Sequence, residues 1–216
     1  MPFFINKSKN IVVSLNYKVA YSNMYANKIY KEIYRQEFLR YYISRKLFFR
    51  KIKFYLIVRN PYNRLESFYK DKFIQHPGSI NLKDVKWQDC QKIFLAQDLI
   101  KSRNNTLIRK TLMSIPFNEF IELLPKVFQY DAHLYPQYLI ANQKIKNFSV
   151  HIKYDKYFKL ESALEEMENI FSFERKIKTN NTSNVNIDIE WNTSSRKVVN
   201  RLYAKDFSLF DYNSIE

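Results

Sequence analysis

The pattern of apolar and polar residues predicts strands that alternate with helices along the chain. Residues 10–17 indicate a short buried strand, and residues 54–58 form a second, uninterrupted apolar run. Between these strands, residues 22–49 place apolar side chains near helical spacing, with Ser22 at the expected N-cap. The chain therefore begins as strand, turn, helix and strand.

The rest of the chain continues the same alternation. The further predicted elements are a helix from Pro61 to about Phe73, a helix at 117–128 with Asn118 as a possible cap, a strand at 148–157, a helix at 161–173 and a final helix from Ser194 to Tyr203. Two polar stretches, 76–89 and 177–195, predict a surface loop and a mobile loop. This order predicts an α/β domain with helices flanking a central parallel sheet, as a single domain over residues 1–216.

Composition limits the classes of function. The net charge of +15, from 36 Lys and Arg against 21 Asp and Glu, favours an anionic partner, although solubility and an AT-rich codon bias explain it equally well. Cys90 is the only cysteine and the three histidines are far apart, so neither a disulfide framework nor a metal site is expected. No apolar run approaches the ~20 residues of a transmembrane helix.

The turn in "NYKVAYSNMY" (16–25) is the first candidate anion site. It joins a strand to a helix and carries Lys18, with Ser22 at the predicted cap. An ammonium, a hydroxyl and unpaired backbone N–H groups can together hold a phosphate or sulfate. The turn does not match the nucleotide-binding pattern G-x-x-x-x-G-K-[ST], which excludes that class of nucleoside triphosphatase. An ordinary capped turn that binds nothing is the alternative.

The second candidate is "FYLIVRNPYNRLESFYKDKF" (54–73), in which a cation ends a buried strand. Arg59 and Ser67 are placed to reach one anion, with the guanidinium providing a bidentate grip. An ion pair that closes the sheet edge is the alternative role for Arg59. Arg64 is expected to point elsewhere, as a solvated or structural residue.

Together these stretches resemble a known family. "KVAYSN" resembles the 5′-phosphosulfate loop of sulfotransferases, commonly P-K-[TV]-[GA]-[CS]-[TS], and "VRNPYNRLESFYKDKF" resembles their 3′-phosphate motif, R-[DN]-P-x-x-R-x-x-S-x-Y. Four further stretches match in the family's order: "FNEFIELL", "DAHLYPQ", "HIKYDKY" and "VNRLYAKDFSLFDY". The set extends from Lys18 to Tyr212 and is most similar to the carbohydrate sulfotransferases of the chondroitin, dermatan, HNK-1 and uronyl 2-O types.

The resemblance implies a P-loop-like three-layer fold and sulfuryl transfer from 3′-phosphoadenosine-5′-phosphosulfate to a carbohydrate hydroxyl, without a metal. Lys18 would neutralise the bridging oxygen as the sulfuryl group leaves, and Arg59 and Ser67 would bind the 3′-phosphate. The implied donor-binding residues are Lys18, Val19, Ala20, Tyr21, Ser22, Asn23, Arg59, Ser67 and, as a contact to the nucleotide, Asn181 and Thr182. An acidic glycan would suit the positive charge, and no nucleic-acid partner is expected.

His133 is the expected general base, because it lies in the "DAHLYPQ" match and an imidazole titrates near neutral pH. A structural or substrate-orienting role is the alternative. In several relatives the base lies between the two donor motifs, where this chain offers Glu32 and Glu37 instead.

Three positions depart from the family pattern. Tyr17 replaces the usual Pro and Tyr21 stands where Cys or Ser is common, so both are expected to narrow or reshape the sulfate loop; Asp211 replaces a Gly. An inactive sulfotransferase-like binding module and a basic nucleic-acid-binding protein remain alternatives. The chain resembles a minimal catalytic domain without anchor or stem, as in bacterial or viral members. That implies a cytoplasmic enzyme, or a Golgi-lumenal one if an anchor is missing.

Overall fold

The computed structural model describes residues 1–48, 51–75, 77, 87, 89–96, 104–145, 148–172 and 187–216. Asn181 and Thr182, with most of the two predicted loops, lie outside these residues. The chain divides into two compact units: Met1–Asn60, Pro136–Asn180 and Ser208–Tyr212 in the first, and Pro61–Tyr135, Asn181–Phe207 and Asn213–Glu216 in the second. A single sulfotransferase-like catalytic domain over residues 1–216 stays a prediction.

The strands of the described residues all belong to the first unit. They are β1 (Phe3–Asn6), β2 (Ile11–Leu15), β3 (Lys31–Ile33), β4 (Lys53–Val58), β5 (Asn142–Ile145), β6 (Phe148–His151) and β7 (Lys156–Lys159). Five of them form one sheet in the order β3-β1-β2-β4-β7, while β5 and β6 pair in a separate antiparallel ribbon. The neighbours β2, β4 and β7 are parallel, whereas β1 runs antiparallel to β2 and β3.

The helices are divided between the units. The first unit contains α1 (Tyr21–Ala26), α2 (Arg35–Leu47), α7 (Tyr138–Ala141) and α8 (Leu164–Phe171). The second contains α3 (Pro61–Tyr69), which continues into a π-helical turn (Lys70–Gln75), and α4 (Asp89–Ala96), α5 (Asn105–Ser114), α6 (Phe117–Val127) and α9 (Thr193–Leu202). The last helix, α10 (Ala204–Phe210), has residues in both units.

The large sheet buries both of its faces, which makes the first unit three-layered. Alternate residues of a strand point to opposite faces, and in β4 Leu56 packs with α2 and α7 while Ile57 packs with α1 and α8. Phe38 of α2 stacks on Phe3 with ring centroids 4.2 Å apart. The predicted α/β architecture with a central sheet flanked by helices is confirmed, with β1 as an antiparallel addition to its parallel core.

The second unit has a helical core rich in aromatic rings. Phe68 and Tyr69 of α3 pack against Phe120 of α6, with centroids 5.9 and 5.6 Å away. Trp191 contacts Phe117 edge-on at 4.6 Å, and its indole N–H donates to the Glu66 carboxylate at 2.7 Å. The high aromatic content of the chain therefore serves packing here.

Two predictions about the segment after β2 are wrong. The helix predicted over 22–49 is interrupted by β3. The prediction missed this strand because it buries only Ile33, while its exposed Lys31 and Glu32 fit a helical pattern of polar residues. Ser22 does not cap α1; the N-cap is Ala20, and no side chain makes a capping hydrogen bond there.

Two more boundaries differ. The N-cap of α6 is Pro116 rather than Asn118, whose side chain instead donates to the Glu190 carbonyl at 3.0 Å. The strand predicted at 148–157 is two strands in different sheets, β6 and β7. The chain turns between them at Asp155. The Asp155 carboxylate accepts the backbone N–H of Phe54 in β4 at 2.7 Å.

Candidate functional site

Two parallel strands of the first unit end side by side, and each predicted anion motif follows one of them. β2 and β4 are hydrogen-bonded neighbours, with Leu15 in register with Ile57. Lys18 and Arg59 therefore lie just beyond the carboxyl ends of two adjacent strands. Open α/β sheets bind their ligands outside this edge.

The backbone of Arg59 is held in place by side chains from other parts of the first unit. Its N–H donates to Gln137 Oε1 at 2.9 Å, and its carbonyl accepts from Gln137 Nε2 at 2.7 Å. The next N–H, that of Asn60, donates to Glu161 at 2.8 Å. These backbone groups are satisfied by side chains, so Arg59 offers a ligand its half-buried guanidinium.

The guanidinium of Arg59 contacts the other motif directly. Its Nη1 donates to the backbone carbonyl of Lys18 at 3.1 Å, although the two residues are 41 positions apart. The structure thus brings together the two stretches that the sequence singled out separately.

The loop that carries Lys18 has an unusual backbone. Lys18 has φ 66° and Ala20 has φ 52°, the left-handed region that favours glycine. Each such non-glycine residue costs roughly 1–2 kcal/mol, so the surrounding packing must impose the conformation. Val19 between them is fully buried in the core with Met24 and Leu15, which anchors the loop.

This backbone can offer its N–H groups to an anion. Left-handed residues within a turn direct successive N–H groups to one side, which forms an anion-binding concavity. Helix α1 has only six residues, so its dipole adds little and the loop itself carries the argument. Ser22 is half-buried and Asn23 exposed, and both lie in the first turn of α1.

The two tyrosines that depart from the family pattern belong to an aromatic row. The Tyr21 ring lies 5.8 Å from Tyr17 and 5.9 Å from Tyr25, of which Tyr25 is 67% exposed. The Tyr21 hydroxyl donates to Glu32 at 3.2 Å. Burial and the Glu32 carboxylate raise the pKa of Tyr21 to about 12, so the hydroxyl remains a donor at neutral pH. The side chain of Tyr21 is therefore engaged by its neighbours within the first unit.

In the second unit, His133 forms a dyad with Asp131. The Asp131 Oδ1 atom lies 2.8 Å from His133 Nδ1 and also accepts the His133 backbone N–H at 2.8 Å. Asp131 is buried, whereas 21% of the His133 side chain is exposed. A carboxylate that accepts from Nδ1–H fixes the tautomer and leaves Nε2 as the basic atom. This arrangement suits a general base.

The Asp131 carboxylate gives the dyad a pH dependence. Burial alone would raise its pKa, but the hydrogen bonds and charge of His133 outweigh burial and lower it from the usual 3.8 to about 2. A depressed pKa stabilises the fold above the unfolded-state value, and this contribution is lost as the pH falls toward the folded value. The dyad therefore stabilises the fold at neutral pH and ceases to do so between about pH 4 and pH 2.

Replacing Asp131 with asparagine is expected to remove this acid sensitivity. The unfolding free energy of Asp131→Asn should change less between about pH 4 and pH 2 than that of the unmodified protein, because the side chain no longer titrates. Urea unfolding at a series of pH values measures this, with the exposed Asp188→Asn as the matched control. An identical pH slope in the unmodified protein and Asp131→Asn would contradict the assigned pKa.

Comparison with known proteins decides the family. The model of the sulfotransferase family matches residues 5–213, nearly the whole chain. The chain belongs to the sulfotransferase family. The match confirms the resemblance to carbohydrate sulfotransferases of the chondroitin and HNK-1 type, and it favours that class over a nucleic-acid-binding protein. No curated protein and no solved structure matches this sulfotransferase.

The described residues show neither a metal cluster nor a membrane-spanning helix. Among them, no group of three or more His, Cys, Asp or Glu side chains is placed to hold a metal ion. Within the same residues, the sulfotransferase has no helix long and apolar enough to cross a membrane.

The remaining predicted residues of this sulfotransferase lie as follows. Ser67 is on α3 in the second unit and is buried. Glu37, one of the rival bases, accepts the Tyr34 backbone N–H at 3.1 Å at the start of α2, and Glu32 accepts from Tyr21. Arg64 is not solvated: it is 1% exposed, and its Nη1 donates to the Tyr135 carbonyl at 2.9 Å.

The structure explains the residue type at two positions of the family motifs, Asp211 and Gln137. Asp211 has φ 51°, which explains why relatives of this sulfotransferase place Gly there. Gln137, the last residue of "DAHLYPQ", is fully buried and clamps the Arg59 backbone. Gln137 was not among the predicted site residues. The only sequence signal for Gln137 was its place in the motif, because the sequence around a single polar residue does not reveal a hydrogen-bond partner 78 positions away.

Proposed function

We propose that the protein transfers the sulfuryl group of 3′-phosphoadenosine-5′-phosphosulfate to a hydroxyl of a carbohydrate. The contact between the Arg59 guanidinium and the Lys18 carbonyl carries this proposal. It joins the two cationic motifs of the sulfotransferase family at the carboxyl ends of β2 and β4, where a donor with two anionic ends can be recognised. The donor and the carbohydrate acceptor are inferences from the family.

In the first unit, each residue has a distinct proposed role. Lys18 neutralises the charge that develops on the bridging oxygen when the bond from sulfur to that oxygen breaks. The backbone N–H groups of the strained loop, together with Ser22 and Asn23, bind the 5′-phosphate. Arg59 binds the 3′-phosphate, which distinguishes this donor from ordinary adenosine nucleotides.

His133 is proposed as the general base that takes the proton of the acceptor hydroxyl. The Asp131 carboxylate at 2.8 Å supports this role because it holds Nδ1, which makes Nε2 the ring atom that accepts a proton. Glu37 is a weaker rival, since it already accepts a backbone N–H at the start of α2. Ser67 as a 3′-phosphate ligand, and Asn181 and Thr182 as nucleotide contacts, are proposed from the family resemblance alone.

Sulfuryl transfer requires in-line positioning and stabilisation of developing charge, and it needs little covalent chemistry from the protein. The proposed cationic residues supply the charge stabilisation. The net charge of +15 is compatible with an acidic glycan as the acceptor.

Thermal unfolding with the donor product tests the proposal. Adenosine 3′,5′-bisphosphate at 100 times its Kd should stabilise the fold by about 2.7 kcal/mol, which raises Tm by roughly 5–10 °C. Adenosine 5′-phosphate at the same concentration should raise Tm less, because it lacks the 3′-phosphate. Equal stabilisation by both ligands would contradict the 3′ assignment.

Turnover of labelled donor with a panel of polysaccharides distinguishes the alternatives. Transfer of label to a polysaccharide supports the proposed reaction. Binding of the bisphosphate without transfer to any acceptor would favour an inactive binding module. Salt-dependent binding of oligonucleotides without bisphosphate binding would favour a nucleic-acid-binding protein.

A further inference from the structure

We infer that Arg64 and Tyr203 are positioning residues that hold the main chain from His133 to Tyr135 so that the His133 imidazole is presented for proton transfer. The inference rests on the proposed role of His133 as the base. It assigns a function to Arg64, the second arginine of the "VRNPYNRLES" stretch, for which the sequence predicted only a solvated or structural role. It also assigns one to Tyr203, which was not a predicted site residue.

The two side chains grip three consecutive carbonyls. The Arg64 Nη1 atom donates to the His133 carbonyl at 3.4 Å and to the Tyr135 carbonyl at 2.9 Å. The Tyr203 hydroxyl donates to the Leu134 carbonyl between them at 2.8 Å. A segment without regular secondary structure thus has its carbonyls fixed one after another, as a neighbouring strand would fix them.

Arg64 and Tyr203 also support each other. The Arg64 guanidinium carbon lies 5.3 Å from the centroid of the Tyr203 ring, which is cation–π distance. Both side chains are almost completely buried. Burial raises the pKa of Tyr203, although the Arg64 charge opposes part of that rise, so the hydroxyl retains the proton that it donates.

Stability alone does not account for Arg64. Among the described residues, its Nε and Nη2 atoms are buried without a hydrogen-bond partner. Buried cations with incomplete partners cost free energy, and apolar side chains of similar volume are often as stable or more so. A requirement to hold the His133 segment explains why a cation is placed there despite this cost.

The imidazole itself is fixed from two further directions. Asp131 holds Nδ1, and the Phe68 ring lies 5.8 Å from the His133 ring at an angle of 43°. Phe68 and Arg64 are four positions apart on α3 and therefore share one face of that helix. One helix thus supplies both the ring that packs against His133 and the cation that holds its carbonyl.

NMR of His133 tests the positioning separately from catalysis. The ¹⁵N shifts of its ring at pH 9 report the tautomer, and the His133→Gln variant assigns the resonance. In the unmodified protein we expect the Nδ1–H tautomer, as the contact with Asp131 requires. Tyr203→Phe and Arg64→Lys should shift the population toward Nε2–H, because the segment loses one of its fixed carbonyls and the imidazole leaves Asp131.

A matched control removes a similar hydrogen bond elsewhere in the same unit. The Tyr69 hydroxyl donates to the Ile115 carbonyl at 2.6 Å, so Tyr69→Phe also deletes one buried bond from a tyrosine to a carbonyl. This variant should leave the His133 tautomer unchanged. A general loosening of the unit would instead affect Tyr69→Phe and Tyr203→Phe alike and would overturn the inference.

Kinetics supply the second readout. Misplacement of a catalytic group by about 1 Å costs up to about 100-fold in rate, so Tyr203→Phe and Arg64→Lys should lower kcat by about 10- to 100-fold with the donor KM unchanged. An unchanged tautomer in both variants would overturn the positioning role, whether or not the protein is a sulfotransferase. A shifted tautomer with normal kcat would overturn it as well, and would remove His133 from the proposed mechanism. If only the proposed function is wrong, neither the unmodified protein nor the variants will turn over the donor, but the His133 tautomer will still shift in Tyr203→Phe and Arg64→Lys.

Discussion

Replacing Lys18 with alanine is expected to lower kcat by about 10²- to 10³-fold, the effect of removing one preorganised group that stabilises developing charge. In sulfuryl transfer the bond to the bridging oxygen breaks as the acceptor oxygen attacks the sulfur, so negative charge accumulates on the leaving phosphate. The Lys18 ammonium is proposed to oppose that charge. Its loss should therefore affect kcat more than the donor KM.

The backbone conformation of Lys18 allows this substitution to change the side-chain charge alone. Lys18 has φ 66°, and alanine pays the same steric cost for a left-handed conformation as lysine. Lys18→Ala therefore removes the ammonium without changing the backbone preference. Lys18→Gly removes the ammonium and the strain together, so it should be equally inactive but slightly more stable.

Exposed Lys28, in the same unit, provides the matched control, because Lys28→Ala removes one positive charge without touching the loop. Its kcat should stay within twofold of the unmodified protein. If Lys18→Ala and Lys28→Ala lower the rate equally, only the net charge matters and the assignment of Lys18 is wrong. Steady-state assays with labelled donor at saturating acceptor measure all three variants.

Replacing Arg59 with alanine is expected to weaken binding of adenosine 3′,5′-bisphosphate by about 10- to 150-fold. That range corresponds to the roughly 1.5–3 kcal/mol of one charge-assisted contact. Arg59→Lys should recover only part of the affinity, because an ammonium keeps the charge but lacks the planar fork that grips a phosphate at two points. Isothermal titration calorimetry measures each dissociation constant.

Arg59 also donates to the Lys18 carbonyl, so its loss has a second possible effect on the loop. Adenosine 5′-phosphate separates the two. If Arg59 binds the 3′-phosphate, Arg59→Ala should leave the affinity for adenosine 5′-phosphate nearly unchanged. Equal losses for both ligands would show instead that Arg59 acts by supporting the Lys18 loop, and the 3′ assignment would be wrong.

The parts of the fold that could be predicted from sequence are those with one dominant signal. The apolar residues of β2 and β4 predicted two buried strands of a parallel sheet, and the structure places these strands side by side in parallel. A cation in the segment that follows each strand, Lys18 or Arg59, marked each candidate anion site. The contact between Arg59 and Lys18 follows from the adjacency of these two strands.

The errors have a common physical origin in tertiary packing. Ser22 has strong N-cap propensity, but α1 begins earlier because burial of Val19 fixes the loop and leaves Ala20 at the cap with φ 52°. Strand β3 pairs with β1 over only three residues, and no local signal could reveal a partner so far back in the chain. Propensity in these short segments is a weak prior that tertiary context overrides.

Polar residues that act through long-range contacts were the hardest to assign. The sequence predicted a role for His133 but offered no reason to single out Asp131 beside it, and it left the role of Arg64 open between solvated and structural. Each depends on geometry: a carboxylate at 2.8 Å from a ring nitrogen, and a guanidinium that reaches carbonyls about 70 positions away. A linear pattern does not contain such distances.

The clamp of Gln137 on Arg59 sets an order of events during synthesis of the chain. The two residues are 78 positions apart, so at about 5–20 residues per second the ribosome needs roughly 4–16 s to add Gln137 after Arg59. The β7 neighbour of β4 emerges later still. A nascent chain can thus complete the hairpin of β1 and β2, and the loop after it, well before the arginine is fixed. The proposed site for the 3′-phosphate is therefore expected to form among the last features of the newly made protein.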